Sequence, residues 1–241
     1  MRTAAALIIG NELLSGKVAE ANLLVLARTL CELGIRLDRV VMTRDERAAI
    51  AAEVRLLARS YDLLVTSGGV GPTHDDVTTE AVADAFEVAL VRSPEMESLL
   101  RAYFKDRLVE GHLHMARVPE GARLVASAEQ PWPAMVLRNV WILPGVPQIF
   151  ASRMTLLAAE LAGDAAFVSE ATCTTLDEGR LKPLLDRVVA GHPAVQIGSY
   201  PQWGRSRYRT KVTFDSADAA AVRAAREDFE QLLPDGARVE P

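Results

Sequence analysis

From Ser67 to Thr78 the chain reads SGGVGPTHDDVT. Gly68, Gly69 and Gly71, with Pro72 and Thr73 beside them, run at once into two adjacent carboxylates, Asp75 and Asp76. Glycine lacks a Cβ, so backbone N–H groups in such a run can approach a ligand closely, and a helix starting just beyond adds a positive dipole end. This is the chemistry of a phosphate cradle. It is not a Walker A loop, because no Gly-Lys-Ser/Thr follows, and it is not a GxGxxG dinucleotide fingerprint. The two carboxylates would repel a bare phosphate. A divalent cation, which prefers hard oxygen ligands, would reconcile them with a phosphorylated ligand. The plainer reading is that the glycines turn the chain and the aspartates cap the next helix.

Two further segments bear on that choice. GNELLSGKVAEAN carries Gly10, Glu12, Gly16 and Asn22, and MTRDERAAI carries Asp45. Taken singly, the first reads equally as an ordinary loop with a solvated Glu, and Asp45 as an N-cap for a helix from Glu46. Together with Asp75 and Asp76, however, they deliver a carboxylate from three successive strand ends to one edge. Gly145, in the turn LPGVP, belongs to the same edge. His74 sits inside the glycine run and is placed to touch a ligand. His112 and His114 read either as surface loop residues or as a pair of metal ligands that lacks a third.

The elements that must position these residues alternate. TAAALIIG is strand-like, ANLLVLARTLCELG is helical with Gly34 as its stop, and IRLDRVVMT is extended. ERAAIAAEVRLLAR is helical, YDLLVTS is a buried strand, and TTEAVADAFEVAL starts helical and ends as a short strand. Such alternation predicts an α/β fold with a mostly parallel sheet covered by helices on both faces. Ligands bind such sheets at the carboxyl ends of the strands. SPEMESLLRAYFKDRL reads as a helix with Pro94 near its start, and AMVLRNVWILPGVP as two short strands leading into a helix that runs to about Leu161. The expected division is an α/β domain over 1–162 and a small α+β domain over 163–241 in the order βαββα.

The 241 residues are 49% hydrophobic with mean hydropathy +0.10, as expected of a globular core. No apolar run approaches the roughly 20 residues of a membrane span, and the N-terminal apolar stretch reads as a strand rather than a signal peptide. Cys31 and Cys173 form no framework, which fits a reducing cytoplasm. A net charge of −5 disfavours nucleic acid as partner. In the tail, SYPQWGRSRYRTKVTF puts Arg205, Arg207, Arg209 and Lys211 at period two, as on one strand face. That face could be a phosphate-and-base platform, a single-strand nucleic-acid surface, or a solvated basic strand.

Read together, SGGVGPTHDDVT, GNELLSG and LPGVP resemble the molybdopterin-binding fold of the MoaB/MogA/MoeA/gephyrin group. Within it the chain is most similar to the N-terminal domain of CinA (competence/damage-inducible) proteins and to the matching domain of eukaryotic FAD synthases. The resemblance spans about residues 3–161 and continues more loosely to 241, where CinA proteins carry a small KH-like domain; IGSYPQWG is similar to the FAD synthase version. By that resemblance Gly68, Gly69, Gly71, Pro72 and Thr73 would cradle the ligand. Asp76 and Asp45 would be the aspartates implicated in pterin-handling members, and Asp75 the extra one of the CinA branch. Glu12 and Asn22 would belong to the first-strand loop. Asn11 stands where MoeA-like members often have Asp, and no amidase domain is covered, so nicotinamide mononucleotide deamidation is not implied.

Two functions of different class follow. The first is a pyrophosphohydrolase of ADP-ribose- or FAD-like dinucleotides that depends on Mg, Mn or Co. In it Asp75, Asp76 and Glu12 are metal ligands, Asp76 and Asp45 are catalytic, and Ser67, Thr78, Arg205 and Arg207 belong to the phosphate-binding set. The second is a carrier that binds molybdopterin or its adenylylated form without turnover. A purely structural role in a homo-oligomer, trimers being known in the group, would leave the carboxylates unexplained. A small phosphorylated ligand, a homo-oligomeric assembly, no membrane and no nucleic acid complete the expectation.

Overall fold

The computed structural model describes residues 2–163, 167–204 and 207–240, and the chain divides into two units between Gly163 and Asp164. The first unit begins with β1 (Thr3–Ile9), α1 (Asn11–Leu14), α2 (Asn22–Glu32), β2 (Arg36–Thr43), α3 (Arg47–Ser60) and β3 (Leu63–Ser67). It continues through α4 (Thr78–Phe86), β4 (Leu90–Arg92), α5 (Pro94–Phe104), α6 (Glu110–Leu113), β5 (Arg117–Pro119) and β6 (Arg123–Val125). It closes with β7 (Ala134–Leu137), β8 (Val140–Leu143) and α7 (Pro147–Leu161). The second unit contains β9 (Val168–Thr174), α8 (Glu178–Gly191), β10 (Gln196–Pro201), β11 (Thr210–Ser216), α9 (Ala219–Leu232) and β12 (Arg238–Val239).

The main sheet has the order β2-β1-β3-β8-β7-β6. Its pairings are parallel from β2 to β8 and antiparallel from β8 to β6. Strand β1 explains the layering. Every residue from Ala4 to Ile9 is buried, so the strand is covered on both faces. Alternate side chains serve opposite cores. Ala4, Ala6 and Ile8 pack with Leu26 and Leu30 of α2 and Phe150 and Leu157 of α7. Ala5, Leu7 and Ile9 pack with Ile50, Val54 and Leu57 of α3 and Val82 of α4. Each fully buried Leu or Ile contributes about 1.5–3 kcal/mol of apolar transfer.

This order creates the crevice. From β1 the chain leaves along the α2 face, and from β3 along the α4 face, although the two strands are neighbours. Their outgoing loops diverge at the carboxyl edge, which opens a gap there. A short hairpin joins β7 and β8 at Arg138-Asn139, where Arg138 takes φ 54, and β4 pairs antiparallel with β5 across the helical excursion through α5 and α6.

In the second unit an antiparallel sheet, β10-β11-β9-β12, packs Val212 and Phe214 against Leu181 and Val188 of α8 and Val222 and Phe229 of α9. The expected basic strand is shorter than its sequence suggests. Strand β11 begins only at Thr210, so Arg207 and Arg209 precede it and Lys211 alone of the four lies on it, while Arg205 lies outside the described residues. Among the described residues no helix is long and apolar enough to cross a membrane.

Candidate functional site

The crevice holds a cavity of about 1240 Å³ within the first unit. Glu12, Asn22 and Asp45 line it from the loops after β1 and β2, and Gly145 from the turn after β8. Ser67, Gly68, Gly69, Gly71, Pro72, Thr73, Asp75 and Asp76 supply its floor after β3. Three strand ends do converge on one space. Gly10, Gly16 and Thr78 are not on its surface, and Arg207 lies exposed in the second unit. Thr78 instead holds the glycine run from behind: its N–H donates to Gly69 O at 2.9 Å and its hydroxyl to Gly68 O at 2.8 Å.

The glycines are required by contact as well as by backbone angle. At Gly68 (φ 110) a Cβ would lie 2.1 Å from Ile9 O, and at Gly69 (φ 66) one would lie 2.3 Å from Thr78 Oγ1. The turn thus lies directly on the end of β1, backbone against backbone. Asn22 locks a third element onto it, donating from Nδ2 to Ser67 Oγ at 2.9 Å and Gly145 O at 2.8 Å. Because Gly145 O only accepts, the amide orientation is fixed. Asn22 Oδ1 is left buried without a partner.

Neither aspartate reading as a helix cap survives the geometry. The N-cap of α4 is Val77 and that of α3 is Glu46, and neither makes a side-chain cap bond. Asp76 Oδ2 accepts from Thr73 N at 2.9 Å and from the Thr73 hydroxyl, which also reaches Asp75 Oδ1 at 2.7 Å. One hydroxyl proton is shared between two carboxylates. The hydroxyl bond holds the Asp75 carboxyl below its ordinary range. Asp45 reaches across to the loop after β1, its Oδ2 accepting from Asn11 N at 2.7 Å. Burial pushes the Asp45 carboxyl up, the Asn11 bond opposes that, and the charges of Glu12 and Asp75 add to the rise. Of the three carboxylates only Asp45 is partly buried, Glu12 and Asp75 being exposed, and no cation is among the side chains that perturb Asp45.

The donor set is all hard oxygen, which suits magnesium, manganese or cobalt better than soft ligands would. Yet among the described residues no three His, Cys, Asp or Glu side chains are grouped to hold an ion by themselves. His74 Nδ1 lies 3.9 Å from Asp75 Oδ1. His74 is almost fully exposed, and His112 stacks on Phe104 at 3.8 Å while its Nδ1 accepts from Val109 N. His114 lines the cavity.

One wall had no signal in the sequence. Met96, Leu99 and Tyr103 of α5, with Trp132 from the loop before β7, form an apolar side to the cavity. The Tyr103 and Trp132 rings meet edge to face at 5.6 Å. Arg153 of α7 also lines it, although only 4% exposed. A charge/polar alternation hides this wall: each residue reads by itself as ordinary helix or loop, and only the fold gathers them.

An open, mostly parallel α/β sheet with a glycine-lined crevice at its switch point defines the class of fold. Residues 5–163 match the family described as "Probable molybdopterin binding domain", and residues 166–241 match "FAD synthase, middle domain". The chain belongs to the molybdopterin-binding domain family, and it is CinA-like. It is 33% identical over 227 residues to a protein of Archaeoglobus fulgidus, covering 94% of this chain and 96% of that one. It is 29% identical over 259 residues to a "Probable FAD synthase" of Caenorhabditis briggsae, covering 96% of this chain and 50% of that one. The chain thus spans about half the length of that synthase. The crystal structure of the protein CinA from Thermoplasma acidophilum, 26% identical, matches with a TM-score of 0.61 over 67% of this chain and 100% of that one.

Proposed function

We propose that the cavity binds a dinucleotide of the ADP-ribose or FAD type and hydrolyses its pyrophosphate bond with the help of a divalent cation. The observation that carries this reading is the gathering of Glu12, Asp45 and Asp75 on a glycine cradle, with the Asp45 carboxyl raised by burial and by its two neighbours. The FAD synthase relatives support an FAD-type ligand.

In this reading the amides of Gly69 to Gly71 hold phosphate oxygens, while the Gly68 N–H is spent on Leu143 O at 3.0 Å and the Asn22 bridge keeps Ser67 and Gly145 in register beneath them. Glu12 and Asp75 hold the cation jointly with the ligand. When bound, that cation supplies charge neutralisation at the phosphoryl oxygens and a more acidic water. Asp45 takes the proton of the attacking water, a role that its raised carboxyl suits. Asp76 fixes the loop through Thr73 and thereby the position of Asp75. The water oxygen bonds to one phosphorus, the bridging P–O bond breaks, and two monophosphates leave.

A second reading, binding of molybdopterin or its adenylylated form without turnover, is favoured by one observation. Thr73 already occupies an oxygen of both Asp75 and Asp76, and a site of that kind could be a cradle alone. Product chromatography with ADP-ribose and FAD, each with magnesium, manganese or cobalt, separates the two. Cation-dependent monophosphate release, lost in Asp45→Asn, supports the hydrolase. Absence of release with retained pterin binding leaves the carrier.

A further inference from the structure

Arg153 is a buried cation with unspent hydrogen bonds. Its Nη1 donates to Ser152 Oγ at 3.0 Å and Gln130 Oε1 at 3.4 Å. Among the described residues, Nε and Nη2 have no acceptor, and no carboxylate lies within ion-pairing distance. At 4% exposure an arginine without a counter-charge costs free energy, and burial alone holds its guanidinium below the ordinary range. Its surroundings say what the missing partner is. Gln130 lies two residues from Trp132, whose ring meets Tyr103, and all four residues line one cavity. Arg153 and both aromatic side chains border the same cavity, with Gln130 between them in the lining.

We propose that Arg153 reads the ring of the ligand, and that it selects heterocycles presenting a carbonyl oxygen beside a ring nitrogen acceptor. The free Nε–Nη2 side is a fork of two parallel donors, which matches two adjacent acceptors. Flavin, pterin and guanine each carry such an edge. Adenine does not, because its exocyclic amino group is a donor and meets the fork donor to donor. The inference rests on the proposal that the cavity takes a phosphorylated ring ligand, and it favours the FAD type, whose flavin carries this edge, over ADP-ribose, whose only base is adenine.

The test is calorimetric binding to the full chain, with no turnover needed. GMP and AMP share ribose and phosphate and differ at the ring edge; 7-deaza-GMP removes one acceptor of the pair, and FMN supplies a different ring with the same edge. GMP and FMN are expected to bind at least about tenfold more tightly than AMP or 7-deaza-GMP. Arg153→Met should abolish that preference, bringing GMP and FMN to the affinity of AMP. Arg153→Lys keeps the charge but not the fork and should abolish it too. Equal binding of GMP and AMP by the wild type overturns the inference while leaving the phosphate site standing. A uniform loss for all four in a folded Arg153→Met also overturns it, since Arg153 would then be a phosphate contact. If none of the four binds, the cavity reading fails and takes the inference with it. The wild-type comparison holds even if the variants do not fold.

Discussion

At the scale of the residue, the site is a set of close approaches. Gly68→Ala would drive a methyl group into Ile9 O at a positive φ, where the obstacle is backbone and cannot rotate away. It should cost about 1–3 kcal/mol and show as a lowered midpoint in thermal unfolding. Gly111→Ala, where a methyl group meets nothing, should be near neutral or slightly stabilising. Asp45 makes a sharper case, because its carboxyl is raised in the folded state. A raised carboxyl favours folding while protonated, and that advantage is lost as pH rises from its unfolded value of 3.8 through the folded one. Asp45→Asn, permanently neutral, should therefore be more stable than the wild type above that window, with the difference vanishing in acid. Denaturant titrations between acid and neutral pH would show it. The same variant should lose about 10²–10⁴-fold in turnover, as for loss of a general base. The glycine run was legible because glycine, proline and paired aspartates at a strand end have few other uses. Arg153 was not legible, since an arginine in a helix of apolar residues looks like any solvent-facing position, and only the packing of α7 shows it buried.

At the scale of the element, strands and helices were legible wherever the apolar period was sustained. The spacing of Ile50, Val54 and Leu57 in α3 put each on the core face, and the unbroken apolar run of β1 marked a strand covered on both sides. Short strands escaped: β5 and β6 are three residues each, too brief for a period to register. The basic run before β11 misled for the opposite reason, because residues at period two in a turn look the same as residues on a strand. Helices α3 and α4 are joined by Arg47, which donates from Nε and Nη2 to both oxygens of Asp84 at 2.6 and 2.7 Å. That pairing holds the Asp84 carboxyl below its ordinary range. A lowered carboxyl stabilises above its unfolded value and loses the contribution as pH falls through the folded one. Asp84→Asn should flatten the acid limb of the stability profile, by under about 1 kcal/mol because the pair is half exposed. An unaltered acid limb would show that the pair contributes nothing.

At the scale of the molecule, the two units have separate cores: Leu26 and Phe150 belong to one, Phe214 and Phe229 to another. The cavity is lined wholly by the first. Residues 1–163 expressed alone should therefore unfold in one cooperative transition and bind the same monophosphates as the full chain. A molten, non-cooperative fragment would contradict that. The central claim is that the crevice between β1 and β3 performs cation-dependent hydrolysis of a pyrophosphate. Phosphorus NMR of FAD with magnesium and the 241-residue chain tests it most directly. The account predicts that the two pyrophosphate resonances give way to monophosphate signals of FMN and AMP, that a chelator stops the change, and that Asp45→Asn slows it at least about a hundredfold. Pyrophosphate signals that persist while FAD or ADP-ribose is bound, whatever cation is supplied, would contradict it.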